Sequence, residues 1–245
     1  MTKKKSIIIT GGAGFVGSNL IRLLLTKTKF NIISLDNYSS GFKANHIKNI
    51  RVKYLKGETK NIKGLIKKPN QIHSVFHFGE FARIYQSFLS MSQCIESNTI
   101  GTNSVFKFCL ENKIKLIYSA TSASLGNKGN DKNLSPYAFT KAKNLELLEN
   151  LKKWFKFKYE VIYFYNVYGP RQISKGKMAT VIGIFEDAFK KKKPLPVVLP
   201  GTQSRRFTHI DDTVNVCYLA WKKNLSRHYS ISNKESFSIL EVSKM

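Results

Sequence analysis

The stretch of sequence that decides the fold is SIIITGGAGFVGSNLIRLLL, residues 6–25. It opens with an apolar run rich in isoleucine, which is typical of a buried β-strand. Glycines follow at Gly11, Gly14 and Gly17, and the residues after them have the spacing of an amphipathic helix. In a Rossmann-type fold one such glycine permits the tight turn, one lets the backbone approach a pyrophosphate, and one allows close packing of helix on strand. The stretch therefore predicts a strand, a phosphate-binding turn and a helix.

An acidic residue at the end of the next strand indicates which ligand the turn holds. Asp36 closes the run IISLD and lies 19 residues beyond Gly17. That separation is expected for an acid that binds the adenosine ribose hydroxyls of a dinucleotide. Because a carboxylate repels a 2′-phosphate, the pattern favours NAD over NADP. The alternative is a glycine-rich turn followed by a strand-end aspartate that binds no ligand.

Short apolar runs alternate with longer helix-like stretches along the chain. Strands are predicted at 6–10, 32–36, 52–55, 74–78, 115–121 and 159–166, and helices at 15–27, 61–67, about 91–111 and 137–155. This order is typical of an α/β fold with a doubly wound parallel sheet. Beyond Tyr168 we predict a helix at 178–190, a strand-like 205–210, an aspartate-capped helix at 212–223 and a strand-like 229–231. The sequence thus predicts an NAD-binding Rossmann domain at 1–168 and a smaller, partly intermixed substrate-binding lobe at 169–245.

The chain is strongly basic, with 41 Lys and Arg against 15 Asp and Glu and a net charge of +26. Such a field attracts polyanions, so nucleic acid has to be considered. The lysines are scattered singly or in short groups, and the sequence holds neither a zinc motif nor an RNP-type motif. We therefore expect solvated basic faces and an anionic small substrate, and do not expect nucleic-acid binding despite the net charge of +26.

Cysteine usage and hydropathy indicate the class of protein. The three cysteines, Cys94, Cys109 and Cys217, are widely spaced and show no CxxC pairing, which favours reduced thiols in a cytoplasmic protein. No run approaches the roughly 18 apolar residues of a membrane span, and no metal site is expected.

A tyrosine and a lysine four residues apart provide the candidate chemistry. Tyr137 and Lys141 would share one face of a helix. A phenol, with an ordinary pKa near ~10, is a poor base at neutral pH, but a neighbouring ammonium and a cationic nicotinamide favour its phenolate. The pair follows a strand that ends in hydroxyl residues, so Thr121 would complete a Ser/Thr–Tyr–Lys triad. The alternative is a surface tyrosine packed beside a lysine.

Ordered motifs along nearly the whole chain carry a family resemblance. They are TGGAGFVGSNL (10–20), LDNYSSG (35–41), FHFGEFARIYQS (76–87), NTIGTNSV (98–105), SATSASLG (119–126), PYAFTK (136–141), YNVYGPRQ (165–172) and GTQSRRFTHIDD (201–212). With these motifs the chain resembles the extended short-chain dehydrogenases/reductases, the NAD-dependent nucleotide-sugar epimerases and dehydratases, and among them UDP-glucose 4-epimerase relatives.

The resemblance implies a role for particular residues. Tyr137 is the base, Lys141 favours its phenolate and holds the nicotinamide ribose, and Thr121 binds the reacting hydroxyl. The implied cofactor-binding residues are Gly11, Gly14, Phe15, Val16, Gly17, Asp36, Asn37, Glu58 and Phe78, together with Tyr137 and Lys141. Asn166 and Arg205 are the implied substrate-binding residues, and Asn98 lies in the helix beneath the site. For Asn98 and Asn166 the alternative is plain capping of a helix or turn.

The activity that the resemblance implies is 4-epimerisation of a UDP-sugar, by transient oxidation and re-reduction at C4. Ser122 and Ala123 stand where dehydratases of the family carry an acid pair, which argues against loss of water. A nucleotide-sugar dehydrogenase or reductase, a dehydratase and a non-catalytic cofactor-binding protein remain open.

Other features depart from the family pattern or extend it. Leu125 replaces a usual aromatic residue, and Arg206 replaces a usual aspartate next to Arg205. The chain stops at FSILEVSKM, which is typical of the opening of a helix, whereas the resemblance implies several dozen further residues. We therefore expect an incomplete substrate lobe. The resemblance also implies a homodimer through helices near 91–111 and 137–155.

Overall fold

A parallel β-sheet forms the centre of the protein. The computed structural model describes residues 5–245, except that the side chains of 126–129 lie outside the description. The strands are β1 Ser6–Thr10, β2 Asn31–Asp36, β3 Val52–Lys56, β4 Ile72–His77, β5 Lys115–Thr121, β6 Tyr159–Phe164, β7 Val167–Tyr168, β8 Ser204–Arg205, β9 Thr208–His209, β10 His228–Ser230 and β11 Phe237–Ser238. The main sheet has the order β10-β6-β5-β4-β1-β2-β3, and its neighbouring strands pair in parallel.

Helices cover both faces of this sheet. They are α1 Phe15–Lys27, α2 Ile62–Leu65, α3 Ile84–Leu89, α4 Met91–Ile95, α5 Thr102–Glu111, α6 Pro136–Phe155, α7 Val181–Lys190, α8 Ile210–Lys223 and α9 Ile239–Lys244, and a π-helical segment, Glu96–Gly101, joins α4 to α5. Residues of α1 and α8 pack on one face, and residues of α2, α5 and α6 pack on the other. The doubly wound α/β fold that the sequence predicts is confirmed.

The two-sided core explains the continuous apolar strands. In β1, Ile8 packs into the cluster beneath α5 and α6, whereas Ile7 and Ile9 pack into the cluster beneath α1 and α8. Since successive side chains of a strand point to opposite faces, a strand covered on both sides needs apolar residues at every position. All three isoleucines are completely buried.

The strand order of the sheet also determines where a ligand cleft lies. Strand order reverses at β1, because β2 and β3 lie on one side of it and β4 to β6 on the other. In open α/β sheets, ligands bind beyond the carboxyl ends of the strands at such a switch point. The glycine turn after β1 opens at this point.

Helix boundaries differ from the sequence prediction in several places, and the helix predicted at 178–190 begins only at Val181. Helix α3 was not predicted, and the predicted helix 91–111 is interrupted by the π-helical segment. The prediction of an aspartate-capped helix at 212–223 is wrong in its start: α8 begins at Ile210, and the ring of His209 accepts a hydrogen bond from Asp211 N. Aspartates 211 and 212 instead lie in the first turn, where carboxylates also interact favourably with the helix dipole.

The C-terminal part of the chain contributes to the main sheet. Strand β10 pairs in parallel with β6, and α8 lies against α1. The short pairs β7–β9 and β8–β11 and the helices α7 and α9 form the smaller remainder. The division at residue 168 stays a prediction. Among the described residues, no helix is both long and apolar enough to cross a membrane.

Candidate active site

A cleft of about 880 Å³ lies beyond the carboxyl ends of the strands. It is lined by every residue that the sequence marks for cofactor, catalysis or substrate: Gly11, Gly14, Phe15, Val16, Gly17, Asp36, Asn37, Glu58, Phe78, Thr121, Tyr137, Lys141, Asn166 and Arg205. These residues come from eight separate stretches of chain, so the fold brings them together.

The glycine turn forms a close-fitting cradle at the start of α1. Gly11 has a positive φ of 71°, and a Cβ there would lie 2.9 Å from Gly79 N. A Cβ on Gly17 would lie 2.8 Å from Gly12 Cα. The amide groups of Phe15, Val16 and Gly17 form the first helical turn, which has no preceding carbonyls to bind. Free N–H groups at the positive end of a helix suit a pyrophosphate.

Asp36 lies beside this cradle with its carboxylate fixed by backbone donors. Oδ2 accepts a hydrogen bond from Ala13 N at 2.9 Å, and Oδ1 accepts one from Tyr38 N at 2.8 Å. Burial raises the pKa of Asp36, and these backbone N–H groups oppose that effect. Each carboxylate oxygen keeps a second acceptor position, which suits the two hydroxyls of a ribose.

Three further polar side chains line the cleft and fit a bound dinucleotide. Asn37 Nδ2 donates to Glu58 Oε2 at 3.1 Å, which places an amide and a carboxylate next to Asp36. Gln172 also lines the cleft, and both atoms of its side-chain amide are buried without a partner in the described part of the chain. A buried amide normally has partners, so this one is suited to polar atoms of a ligand.

Tyr137 and Lys141 lie in the first turns of α6. Ser135 begins this helix, because its Oγ accepts a hydrogen bond from Ala138 N at 3.0 Å. Lys141 is buried, and its Nζ donates to Glu80 Oε2 and to Ser119 O, each at 2.5 Å. The lysine is therefore held against the end of β5.

Arg83 and Thr121 line the same cleft as the tyrosine. Burial lowers the pKa of Arg83, and the charge of the Tyr137 phenol acts in the opposite direction. Arg83 is held by Nε, which donates to Met178 O at 2.7 Å. Thr121 Oγ1 accepts a hydrogen bond from Ala123 N at 3.2 Å, which leaves its hydroxyl proton for another acceptor.

The predicted substrate residues lie at the rim of the cleft. Asn166 and Arg205 are exposed and also border a smaller cavity of about 350 Å³, whose other walls include the apolar side chains of Val181, Phe185 and Ile239. Asn166 Nδ2 donates to Arg206 O at 3.0 Å, so it supports the turn that presents the two arginines. Asn98 does not line the cleft; it is buried and clamps the backbone of Phe81 through two hydrogen bonds.

Comparison with known proteins identifies the family. The model of the NAD dependent epimerase/dehydratase family matches residues 7–232. The chain belongs to this family. An ADP-L-glycero-D-manno-heptose-6-epimerase of Brachyspira hyodysenteriae is 29% identical over 97% of the chain and 79% of its own length. A putative UDP-glucose 4-epimerase of Methanocaldococcus jannaschii is 27% identical over 96% of the chain and 81% of its own length.

A solved structure agrees with the fold of this family member. The UDP-glucose 4-epimerase of Thermotoga maritima, solved with UDP-glucose, superimposes with a TM-score of 0.88 at 25% identity, over 98% of the chain and 80% of that structure. NAD is the cofactor of the family, in agreement with the prediction from Gly11 to Gly17 and Asp36.

Sequence reasoning missed one group that the structure places at the centre of the site. Glu80 lies within the quoted motif FHFGEFARIYQS but received no role. Its side chain is 1% exposed and bonds to Lys141. A charged residue three positions after a buried strand was the available signal. Only the fold shows that it meets the lysine of α6.

Proposed function

We propose that the protein is an NAD-dependent nucleotide-sugar epimerase and that it acts by 4-epimerisation of a UDP-sugar. The observation that carries this proposal is that Thr121, Tyr137 and Lys141 line the same cleft as the glycine turn and Asp36. A hydride acceptor held at the turn and a base on α6 would then face one sugar carbon from a single cavity.

Each side chain has a task in this reaction. Tyr137 takes the proton of the sugar hydroxyl, and the buried ammonium of Lys141 favours the phenolate that does so. Thr121 accepts or donates a hydrogen bond at the same hydroxyl. NAD held in this cleft would supply the acceptor and donor of the hydride at the sugar carbon. Tyr137 gives its proton back in the second half of the cycle, so neither proton nor hydride is lost.

The environment of Thr121 favours epimerisation over loss of water. Ser122 and Ala123 follow it and line the cleft, and neither supplies a carboxyl group. Elimination needs an acid and a base on neighbouring carbons. Asp131 also lines the cleft, however, and this acid is the observation that favours a dehydratase as the second candidate.

A substrate panel tests the proposal. Purified protein is incubated with NAD and with UDP-, ADP-, GDP-, dTDP- and CDP-sugars, and the products are analysed by mass spectrometry and NMR. We expect a product of unchanged mass with an inverted C4 and no net change in NADH absorbance. Loss of 18 mass units, the mass of one water, would instead establish the dehydratase. Net NADH formation would establish a dehydrogenase, and neither result is compatible with epimerisation.

Variants separate catalysis from binding. Tyr137→Phe removes the proposed base, and turnover should fall by at least ~10²-fold, the usual contribution of a positioned base. Tyr218→Phe on α8 is the matched control, since Tyr218 packs beside Trp221 away from the cleft. Turnover that survives Tyr137→Phe would show that Tyr137 is not the base of the reaction.

We also propose that the chain forms a homodimer. Large apolar side chains are exposed on α3, α4, the π-helical segment and α6: Ile84, Tyr85, Phe88, Leu89, Met91, Ile100 and Phe139. A contiguous apolar surface on a folded chain marks an interaction site. Sedimentation of the wild type and of Phe88→Asp tests this, because a charge buried in such an interface should convert a dimer to a monomer. A monomeric wild type would refute it.

A further inference from the structure

The buried carboxylate of Glu80 is bonded to four different side chains. Oε1 accepts from Thr102 Oγ1 at 2.9 Å, Tyr118 OH at 3.1 Å and Asn144 Nδ2 at 3.2 Å, and Oε2 accepts from Lys141 Nζ at 2.5 Å. Every partner is a donor, which fits an ionised carboxylate, a group that only accepts. The side chains of Glu80 and Lys141 are 1% and 4% exposed, so solvent does not screen the pair.

A directed chain of hydrogen bonds connects this carboxylate to the glycine turn. Thr10 Oγ1 accepts from Phe78 N and Gly79 N, so its single proton goes to His77 Nδ1, at 2.7 Å. The ring is then protonated at Nε2, which donates to Thr102 Oγ1 at 3.0 Å. Thr102 in turn donates to Glu80. Burial lowers the pKa of His77 to about 4, which agrees with a neutral ring in this chain.

Several titratable groups face the pair from the surrounding elements. His77 is neutral on β4, Tyr118 lies on β5 with its pKa raised by burial, and Cys94 lies on α4 with its pKa also raised by burial. Tyr137 lies one turn before Lys141 on α6, and Arg83 lines the same cleft, with its Nε bonded to Met178 O. The carboxylate of Glu80 is thus paired with the ammonium of Lys141.

We propose that Glu80 is a positioning residue that holds the Lys141 ammonium against β5 and neutralises most of its charge, so that the Tyr137 phenol meets a weaker cation than a lone lysine would supply. This inference rests on the proposed role of Tyr137 as the base. Its consequence is a base that ionises at higher pH but takes a proton more strongly once ionised. The third N–H of Lys141 makes only a 3.5 Å contact to Ser119 Oγ and stays available to a ligand.

A titration of Tyr137 tests this without any sugar substrate. Tyrosinate absorbance is followed against pH in the NAD-bound protein, and the Tyr137 component is the part that Tyr137→Phe removes. In Glu80→Gln the charge of Lys141 is no longer compensated, so we expect this component to move to lower pH by about one unit, within the range for a neighbouring charge. The acid limb of a pH–rate profile should move in the same direction wherever turnover is measurable.

A second buried pair provides the matched control. Glu160 bonds to Lys115 Nζ at 3.2 Å and to the amides of Ser226 and Arg227, and its side chain is completely buried. It does not line the cleft. Glu160→Gln should therefore lower stability without moving the Tyr137 titration. The proposal would be overturned if the Tyr137 component titrated at the same pH in Glu80→Gln and Glu160→Gln, or if it moved to higher pH in Glu80→Gln.

A double variant covers the case in which Glu80→Gln does not fold, since it leaves no unpaired buried charge. If Glu80 neutralises Lys141, Glu80→Gln with Lys141→Gln removes a nearly neutral pair, and the Tyr137 component should stay within about one unit of the wild type. A larger shift to higher pH would mean that Lys141 acts as an uncompensated cation, which refutes the inference. Because this readout needs no turnover, failure of the proposed epimerase activity is distinguished from failure of the role of Glu80.

Discussion

Replacing Gly17 by alanine is the sharpest test of the cofactor cradle. The added Cβ would overlap most severely with Gly11 O, and it would lie 2.8 Å from Gly12 Cα and 2.9 Å from Gly11 C, where ordinary contact begins at 3.4 Å. All three obstacles are backbone atoms, so no side chain can rotate away. The turn or the start of α1 must therefore move by more than about 0.6 Å to restore contact distances.

The cost of this movement follows from packing. Inserting a methyl group into a well-packed site costs about 1–3 kcal/mol, and a clash with backbone belongs at the upper end. For a protein of this size that corresponds to a fall in Tm of roughly 6–12 °C. The same displacement misaligns the amides of the first helical turn, so NAD affinity should fall by at least ~10-fold, or about 1.4 kcal/mol.

Calorimetric titration with NAD and thermal unfolding measure both effects. Gly64→Ala is the control, since the space around Gly64 is open and alanine favours the helix by about 0.5–1 kcal/mol. It should leave NAD affinity unchanged and raise Tm slightly. If Gly17→Ala bound NAD as tightly as the wild type, the assignment of this turn to the pyrophosphate would be refuted.

Three further expectations concern single side chains. Asp36→Asn should lower the affinity for NAD by about tenfold or more and bring it closer to the affinity for NADP. Titration with both cofactors measures these two affinities. Burial lowers the pKa of His77 from 6.5 to about 4, so the unfolded chain binds this proton before the folded chain does as the pH falls. The free energy of unfolding should therefore drop by roughly 3 kcal/mol between pH 6.5 and 4. Urea unfolding at several pH values should show this dependence in the wild type and not in His77→Gln. Arg205→Met should raise KM for a nucleotide-sugar about tenfold with little change in kcat, and an unchanged KM would remove Arg205 from the substrate site.

Much of the fold follows from the sequence because its signals are local. The bounds of α1 agree with the predicted 15–27, since the glycine turn starts that helix and the apolar repeat continues to its end. Helix α3 was not predicted because its apolar residues face outward, so its pattern lacks the buried stripe on which periodicity depends. The break within 91–111 is a π-helical segment, and within it Asn98 is buried and bound to the backbone of Phe81, a tertiary contact that local periodicity does not report.

The candidate site divides in the same way. The glycine turn with Asp36, and the pair Tyr137 and Lys141, lie within motifs whose spacing predicts their local geometry, and the family resemblance implies that the two motifs meet in one site. Glu80 and Arg83 lie in one loop after β4, and their meeting with α6 depends on how the sheet brings that loop to the helix. Contacts between residues sixty positions apart leave no periodic trace.

The pairing of β10 with β6 affects how the chain folds during its synthesis. During synthesis β6 emerges long before His228–Ser230, so its outer edge stays without a neighbour while the intervening chain is added. An open edge with apolar residues is a template for joining another molecule. We expect chains truncated before residue 228 to aggregate, whereas chains that retain β10 should be recovered without aggregation.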